Sequence, residues 1–557
     1  MKLMAWGALS TVAFSQAMQQ TLALTKPPNF LFILTDDQDL QLNSPAYTPQ
    51  ILRHVKEKGL EFTNHFVTTS LCCPSRVSLW TGRQAHNTNV TDVKPPWGGY
   101  PKFVSQGFND DWFPVWLQQS GYNTFYTGKL FNSHSVTTYN DPFVKGFNGS
   151  DFLLDPHTYS YYNSTYQRNR DAPRSYPGQH TTDIITEKAL GFLDDALHDD
   201  RPFFLTVAPI APHSNIDALG RSSSSPVIMT EPIPAPRHAH LFSNATVPRT
   251  PNFNPTTQNT GVSWISGLPL QNQSVIDYED HFYRQRLRAL QGVDELVERL
   301  VRRLEDTIGI ENTYIIYTSD NGFHIGQHRL PPGKTTGFEE DIRVPFYIRG
   351  PGVPAGKTQD SVSTHIDLEL DGTPMSVREH LRAIKHEHVT VEFWGHGVLE
   401  GELATIGNGS TQIPKNTYKS TRIIGEGYNL YYSVWCTNEH ELYDLSTDPY
   451  QINNLYTNHN VTQLLNRQLP TVIHRLDALL LVLKSCKGET CIKPWDVLHP
   501  DGSVRSLQDA LDPRFDAFYV AQPKLSFETC LDGYILGNEG EQVGFEYRDG
   551  LEWDAWT

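Results

Sequence analysis

Cysteine is scarce in this chain, with six residues in 557. That is too few for a small disulfide-stapled scaffold, so apolar burial must hold the fold together. Basic residues are also short, 45 Lys+Arg against 62 Asp+Glu, for a formal net charge of -17. Nucleic-acid binding needs a basic footprint, and a general nucleic-acid binder is therefore excluded. Long apolar runs are missing as well. Leu3–Phe14 is the longest near the start, well short of the roughly 20 residues of a spanning helix, so no membrane span is expected. What remains is globular: 38% hydrophobic and 11% aromatic residues exclude wholesale disorder. At roughly 100–200 residues per domain, the length allows two or three domains. A large acidic enzyme is the expectation.

The N-terminus has the layout of a secretory signal. Lys2 supplies the positive charge, Leu3–Phe14 the apolar stretch, and Ser15-Gln16-Ala17 the small residues a signal peptidase reads. Residues 1–17 are thus expected to be a signal peptide. Acceptor sequons at Asn89, Asn148, Asn163, Asn244, Asn272, Asn408 and Asn460 point the same way. The expected location is extracellular, with a vacuolar or lysosomal-type compartment of the same pathway as the alternative.

Short apolar runs that stop at polar clusters predict buried strands. Asn29–Leu34 runs into Thr35-Asp36-Asp37-Gln38, and Thr124–Tyr126 into Gly128-Lys129. Phe203–Val207 runs into Pro209 through His213, and Thr313–Tyr317 into Thr318 through Gly322. Amphipathic helices are predicted between them, at Thr182–Leu197 and Tyr283–Leu304. Alternating strands and helices imply an α/β sheet, in which ligands sit beyond the carboxyl ends of the strands. After about residue 370 the texture changes. Lys419–Ile424, Tyr428–Trp435 and His440–Leu445 read as an antiparallel meander, followed by a helix near Leu464–Leu483. The chain therefore divides into a main α/β domain at 26–370 and a smaller α+β domain at 371–557. The Pro-, Ser- and Asn-rich stretch 213–275 is expected to form a lid or rim over the site.

Asp36-Asp37 and Asp320-Asn321 follow two of the strands and together supply three carboxylates and an amide oxygen. Hard divalent cations such as Ca²⁺ favour oxygen donors of this kind. The most specific stretch is Cys72-Cys73-Pro74-Ser75-Arg76, followed after four residues by Thr81-Gly82-Arg83. On these residues the chain resembles the type I sulfatases, closest to secreted fungal-type arylsulfatases and similar to the glucosamine-6-sulfatase branch.

The resemblance implies an alkaline-phosphatase-like mixed sheet flanked by helices. It implies that Cys72 is converted to Cα-formylglycine by a formylglycine-generating enzyme during maturation. Asp36, Asp37, Asp320 and Asn321, with the modified Cys72, match the ligands of one Ca²⁺. Arg76 matches the residue supporting the formylglycine hydrate, and Lys129 and His213 match sulfate-site residues. Lys334 matches the lysine that approaches the sulfate and its leaving group. His324 and His328 are expected to orient neighbouring loops. In the implied reaction one hydroxyl of the aldehyde hydrate attacks the sulfur of an aryl sulfate or sulfated sugar. The second hydroxyl then expels sulfate and restores the aldehyde. Gly326, Glu339-Glu340, Arg343-Val344-Pro345 and Glu441 through Asn454-Leu455 extend the likeness over most of the chain.

Two positions depart from the family pattern. Many members carry His two residues after the Gly-Lys lysine, where Phe131 stands here, with Asn132 as the candidate substitute. After His365-Ile366-Asp367-Leu368, about two dozen residues of loop and helix are missing against the usual pattern. A mis-joined exon explains this more simply than deletion of a buried helix. With Cys72 set aside as a modified residue and Cys73 as its buried neighbour, four cysteines allow three pairings. Cys486–Cys491 as a short local loop with Cys436–Cys530 is favoured. A metal-dependent phosphohydrolase of the related fold is the enzymatic alternative. A non-catalytic sulfate- or glycan-binding protein is the other.

Overall fold

The structure, a computed structural model, describes residues 26–216, 229–367, 386–404 and 412–548. The expected signal peptide, Asn408 and the junction after Leu368 lie outside the described residues.

The main sheet has ten strands. In chain order they are β1 (Asn29–Thr35), β2 (Leu60–Phe62), β3 (Asn123–Lys129), β4 (Gly149–Leu153) and β5 (Asn163–Arg168), then β6 (Arg174–Pro177), β7 (Phe203–Ala208), β8 (Thr313–Ser319), β9 (Phe346–Arg349) and β10 (Lys357–Gln359). Across the sheet they run β10-β2-β9-β8-β1-β7-β3-β4-β5-β6. The central strands β8, β1, β7, β3 and β4 are parallel, and β9, β5 and β6 join antiparallel.

The central strands are buried on both faces, as their unbroken apolar runs require. Phe30, Phe32 and Leu34 face one core with Trp80, Phe113 and Phe204. Leu31 and Ile33 face the other, against Ile185 and Phe192 of α2 (Thr181–Leu197) and Val293, Val297 and Leu300 of α3 (Gln273–Glu305). The helix preceding both, α1 (Cys72–Thr81), is buried along its whole length.

The four predicted central strands and α2 are present. α3, however, begins at Gln273 rather than Tyr283. Asn272 caps it by accepting from the Val275 N–H, and Phe282 and Tyr283 pack with Leu42, Val247 and Phe323 in a separate cluster. Periodicity misses this start because the first turns carry mostly polar residues.

The second sheet has four antiparallel strands in sequential order: β11 (His388–Phe393), β12 (Tyr418–Gly425), β13 (Tyr428–Trp435) and β14 (His440–Asp444). The meander accounts for three, and β11 was not predicted. The following helix α4 begins at Leu469, not Leu464. Gln463–Leu464 and Arg467–Gln468 instead pair as a small ribbon, and Pro470 occupies the first turn of the helix. Cys436–Cys530 and Cys486–Cys491 are the disulfides, and Cys72 and Cys73 are free and buried.

Candidate active site

Parallel pairing brings the predicted polar clusters to one edge of the sheet. Thr35 of β1 lies beside Ser319 of β8, so Asp36-Asp37 and Asp320-Asn321 emerge side by side. On the other flank Gly128 pairs with Ala208, which delivers Lys129 next to the turn that carries His213. Only glycine fits at 128, because a Cβ there would lie 2.1 Å from the Ala208 carbonyl oxygen. Cys72 opens α1 at this edge. An anion drawn to Cys72 therefore meets the positive end of a helix.

The side chains interlock. Ligand atoms of Asp36, Asp37, Cys72 and His213 all lie within 4.8 Å of one another. Lys129 Nζ is 2.5 Å from Asp36 Oδ2, and Lys334 Nζ is 2.5 Å from Asp37 Oδ2 and 3.3 Å from Cys72 Sγ. Arg76 donates to Asp320 Oδ2 at 2.8 Å and to the Lys129 carbonyl at 2.6 Å. Asp320 stands one step back, its Oδ1 accepting from the Asp37 amide at 3.0 Å. Asn321 donates to Asp37 Oδ1 at 2.7 Å. All the residues expected in the site are thus gathered, none more than a few per cent exposed.

The electrostatics suit a cation. Burial and the neighbouring Asp320 carboxylate push Asp36 above the ordinary carboxylate value in spite of Lys129 and Arg76. Burial would do the same to Asp37, but the Lys334 ammonium, with His213 and Lys129, holds it below that value. Asn321 Oδ1 is buried with no hydrogen-bond partner. Three carboxylates and an unpaired amide oxygen are a hard donor set, and the residues fit Ca²⁺. Asp37 adopts φ 66°, a costly conformation for a non-glycine residue of a kind that concentrates at functional sites.

The sulfatase family profile matches residues 28–369. The chain belongs to the sulfatase family. Over 92% of its length it is 39% identical to the arylsulfatase of Volvox carteri, of which it covers 83%. It is 31% identical to the N-acetylglucosamine-6-sulfatase of Homo sapiens, over 84% of this chain and 87% of that one. Among solved structures, a protein in complex with its substrate D-glucosamine-2-N,6-O-disulfate shares the sulfatase fold. Its TM-score is 0.59 at 23% identity, covering 78% of this chain and 94% of that chain.

Within this sulfatase site, Phe131 points away into the aromatic core against Phe103 and Trp112. Asn132 faces inward and donates to the Tyr159 hydroxyl at 2.6 Å. His324 is bonded to Asp341 at 2.8 Å, and His328 stacks on Phe338, where burial pushes it down to about 3. The His324 backbone also pairs with Gly333, the residue before Lys334.

The stretch 213–275 is not a uniform rim. His213 and Ser214 line the site, whereas the described residues from Pro236 onward run along α3 and reach Tyr443 of the second sheet. Sequence reasoning missed Tyr159 and Glu400. Tyr159 stacks on His213 and lies under Lys129. Glu400 is 3.2 Å from Lys334 and accepts from Ser214 Oγ. Neither belongs to a recognisable motif. An aromatic within a Tyr-rich run and an acid within Leu-Glu-Gly-Glu gave no signal.

Proposed function

We propose that this sulfatase is an arylsulfatase, hydrolysing sulfate monoesters to a phenol or alcohol and inorganic sulfate. The observation that carries the reading is Cys72 at a helix N-terminus, ringed by Lys129, Lys334, Arg76 and the Asp36-Asp37 pair. The three cations stand against four buried carboxylates, Asp36, Asp37, Asp320 and Glu400. A divalent cation leaves the site net positive, which suits an anionic ester.

Asp36, Asp37, Asp320 and Asn321 would hold one Ca²⁺, together with Cys72, and its charge would polarise the sulfate group. Cys72, converted to Cα-formylglycine by a formylglycine-generating enzyme, would supply a hydrate hydroxyl as nucleophile. Arg76 anchors the floor of the site by bonding Asp320 and the Lys129 carbonyl. Lys129 Nζ binds a sulfate oxygen. His213 donates from Nδ1 to the Ser214 carbonyl at 2.8 Å, which turns Nε2 toward the reacting group. Lys334 Nζ holds a proton at the leaving oxygen.

The leader at 1–17 supports secretion. Of the sequons, Asn148, Asn244, Asn272 and Asn460 are exposed and open to glycosylation. Among the described residues no helix is long and apolar enough to cross a membrane. We assign the catalytic domain to 26–370 and a smaller C-terminal domain to 371–557. The likeness to N-acetylglucosamine-6-sulfatases favours a second reading, a sulfated sugar as substrate.

Assays of the secreted protein with nitrophenyl sulfate, nitrophenyl phosphate and 6-sulfated N-acetylglucosamine separate these readings. Sulfate release from the aryl ester is expected to dominate. Mass spectrometry of the Cys72 peptide, with hydrazide capture, should find the aldehyde. An unmodified thiol in active protein would overturn the mechanism.

A further inference from the structure

Lys334 sits on a loop between β8 and β9, yet much of what packs on that loop comes from Gly397–Glu400, Asn416 and Tyr431. The Glu400 amide donates to the Pro332 carbonyl at 2.8 Å, and Leu399 pairs with Gly333. Asn416 Nδ2 donates to the Thr335 carbonyl at 3.0 Å and to Thr335 Oγ1 at 3.1 Å. Gly397 makes this approach possible, since a Cβ there would lie 2.6 Å from Thr335 Oγ1. The Tyr431 hydroxyl packs against Gly337. Thr335 itself has φ 87°, a strained conformation for a β-branched residue, which persists only when its surroundings impose it. The loop is therefore held from outside, not by its own preferences.

Glu400 completes the grip. It is 1% exposed, and its two oxygens divide between Lys334 Nζ, 3.2 Å from Oε1, and Ser214 Oγ, 2.5 Å from Oε2. Ser214 also accepts from the His213 ring through its carbonyl. One buried carboxylate thus touches the side chain of one proposed catalytic group and the neighbour of another. A lysine on a flexible four-carbon stem does not hold a direction unaided. Asp37, its other carboxylate partner, is also bonded by Asn321 and faces His213.

We propose that Glu400 is a positioning residue. It aims Lys334 at the leaving oxygen and couples that aim to the His213 turn, while Asn416 holds the Thr335 conformation that presents the lysine. The C-terminal region thereby completes the active site without touching substrate. This inference rests on the reading of Lys334 as the group at the leaving oxygen.

The test compares Glu400→Gln, Lys334→Ala and the double variant on nitrophenyl sulfate and on phenyl sulfate, whose leaving group is poorer. Cys72 aldehyde content and calorimetric Ca²⁺ affinity serve as controls and are expected to stay near wild type in Glu400→Gln, while the melting temperature, lowered by the broken buried pair, must stay above the assay temperature. Displacing Lys334 should cost Glu400→Gln about 10²-fold in kcat on phenyl sulfate. The loss on nitrophenyl sulfate should be far smaller, with KM nearly unchanged on both. The double variant should be no slower than Lys334→Ala, because both remove one function. Equal losses on the two substrates, or losses that multiply in the double variant, would overturn the proposal. Full activity in Lys334→Ala would instead sink the reading of Lys334, and a wild type inert to sulfate esters would sink the proposed function. Should Glu400→Gln fail to accumulate, Asn416→Ala carries the same comparison. A smaller loss confined to phenyl sulfate supports the grip, and unchanged kinetics overturn it.

Discussion

The imidazole of His213 lies flat on the ring of Tyr159, centroids 4.0 Å apart and planes 21° from parallel. Lys129 Nζ lies 4.8 Å from the centroid of the same ring, and Asn132 bonds its hydroxyl. One aromatic plate thus orders two groups proposed to bind sulfate. Tyr159→Phe keeps the plate and loses the Asn132 bond, whereas Tyr159→Ala loses both. Cation–π contacts of this kind are worth about 0.5–2 kcal/mol. Steady-state kinetics on nitrophenyl sulfate should therefore show a modest rise in KM for the first variant and a clearly larger one for the second. Equal kinetics in the two would refute the role of the ring.

Calcium should be separable from the chain. Removal with a chelator is expected to abolish ester cleavage and to lower the melting temperature. A ligand at about 100 times its Kd stabilises a fold by about 2.7 kcal/mol. Restoring Ca²⁺ should recover both properties, and Mg²⁺ should do so poorly, because it demands a stricter geometry. A chelated protein with unchanged melting and full activity would exclude the cation.

Acid should weaken the contact between the second sheet and the short helix Ala85–Thr88. Glu392 is buried between His86 and Lys419, at 2.9 Å and 2.8 Å. Burial alone would raise its pKa, but His86 and Lys419 lower it from 4.5 to about 2. A group depressed in the folded state stabilises it above the unfolded value. That stability is lost as pH falls from 4.5 toward about 2. Urea titrations across this window should show the decline in the wild type. Glu392→Gln should be less stable at neutral pH, by about 3–5 kcal/mol for a broken buried pair, with a flatter acid slope. An identical slope in both proteins would count against this account.

The disulfides should differ in weight. Cys436–Cys530 spans 94 residues and Cys486–Cys491 only 5. Chain entropy assigns about 4–5 kcal/mol to the long loop and about 2 kcal/mol to the short one. Paired Cys→Ala replacement, followed by denaturant unfolding, is expected to preserve that order. The reverse order would show that local contacts, not loop closure, decide.

The sequence by itself determined the family, the proposed position of the nucleophile and the sheet ends. C-x-P-S-R with T-G-R is a contiguous signature, and each apolar run that breaks into Asp-Asp, Gly-Lys, Pro-His or Asp-Asn announces a buried strand reaching its carboxyl end. Parallel register does the remainder, since adjacent strands must deliver their last residues to one edge. Disulfide pairing was narrowed rather than fixed: three pairings remained once Cys72 and Cys73 were set aside, and the short Cys486–Cys491 spacing favoured the one observed.

Other features needed the tertiary structure. Phe131 and Asn132 differ in role because one meets the aromatic core and the other Tyr159, and chain order cannot choose between them. The early start of α3 depends on a cap at Asn272 and on partners far along the chain. Glu400 and Asn416 carry no local pattern at all. They matter because Gly397 through Glu400, together with Asn416, pack on the Lys334 loop and impose on Thr335 a backbone conformation it would not adopt alone. Short-range preference writes strands and motifs into sequence, but a strained loop is held by whatever packs against it.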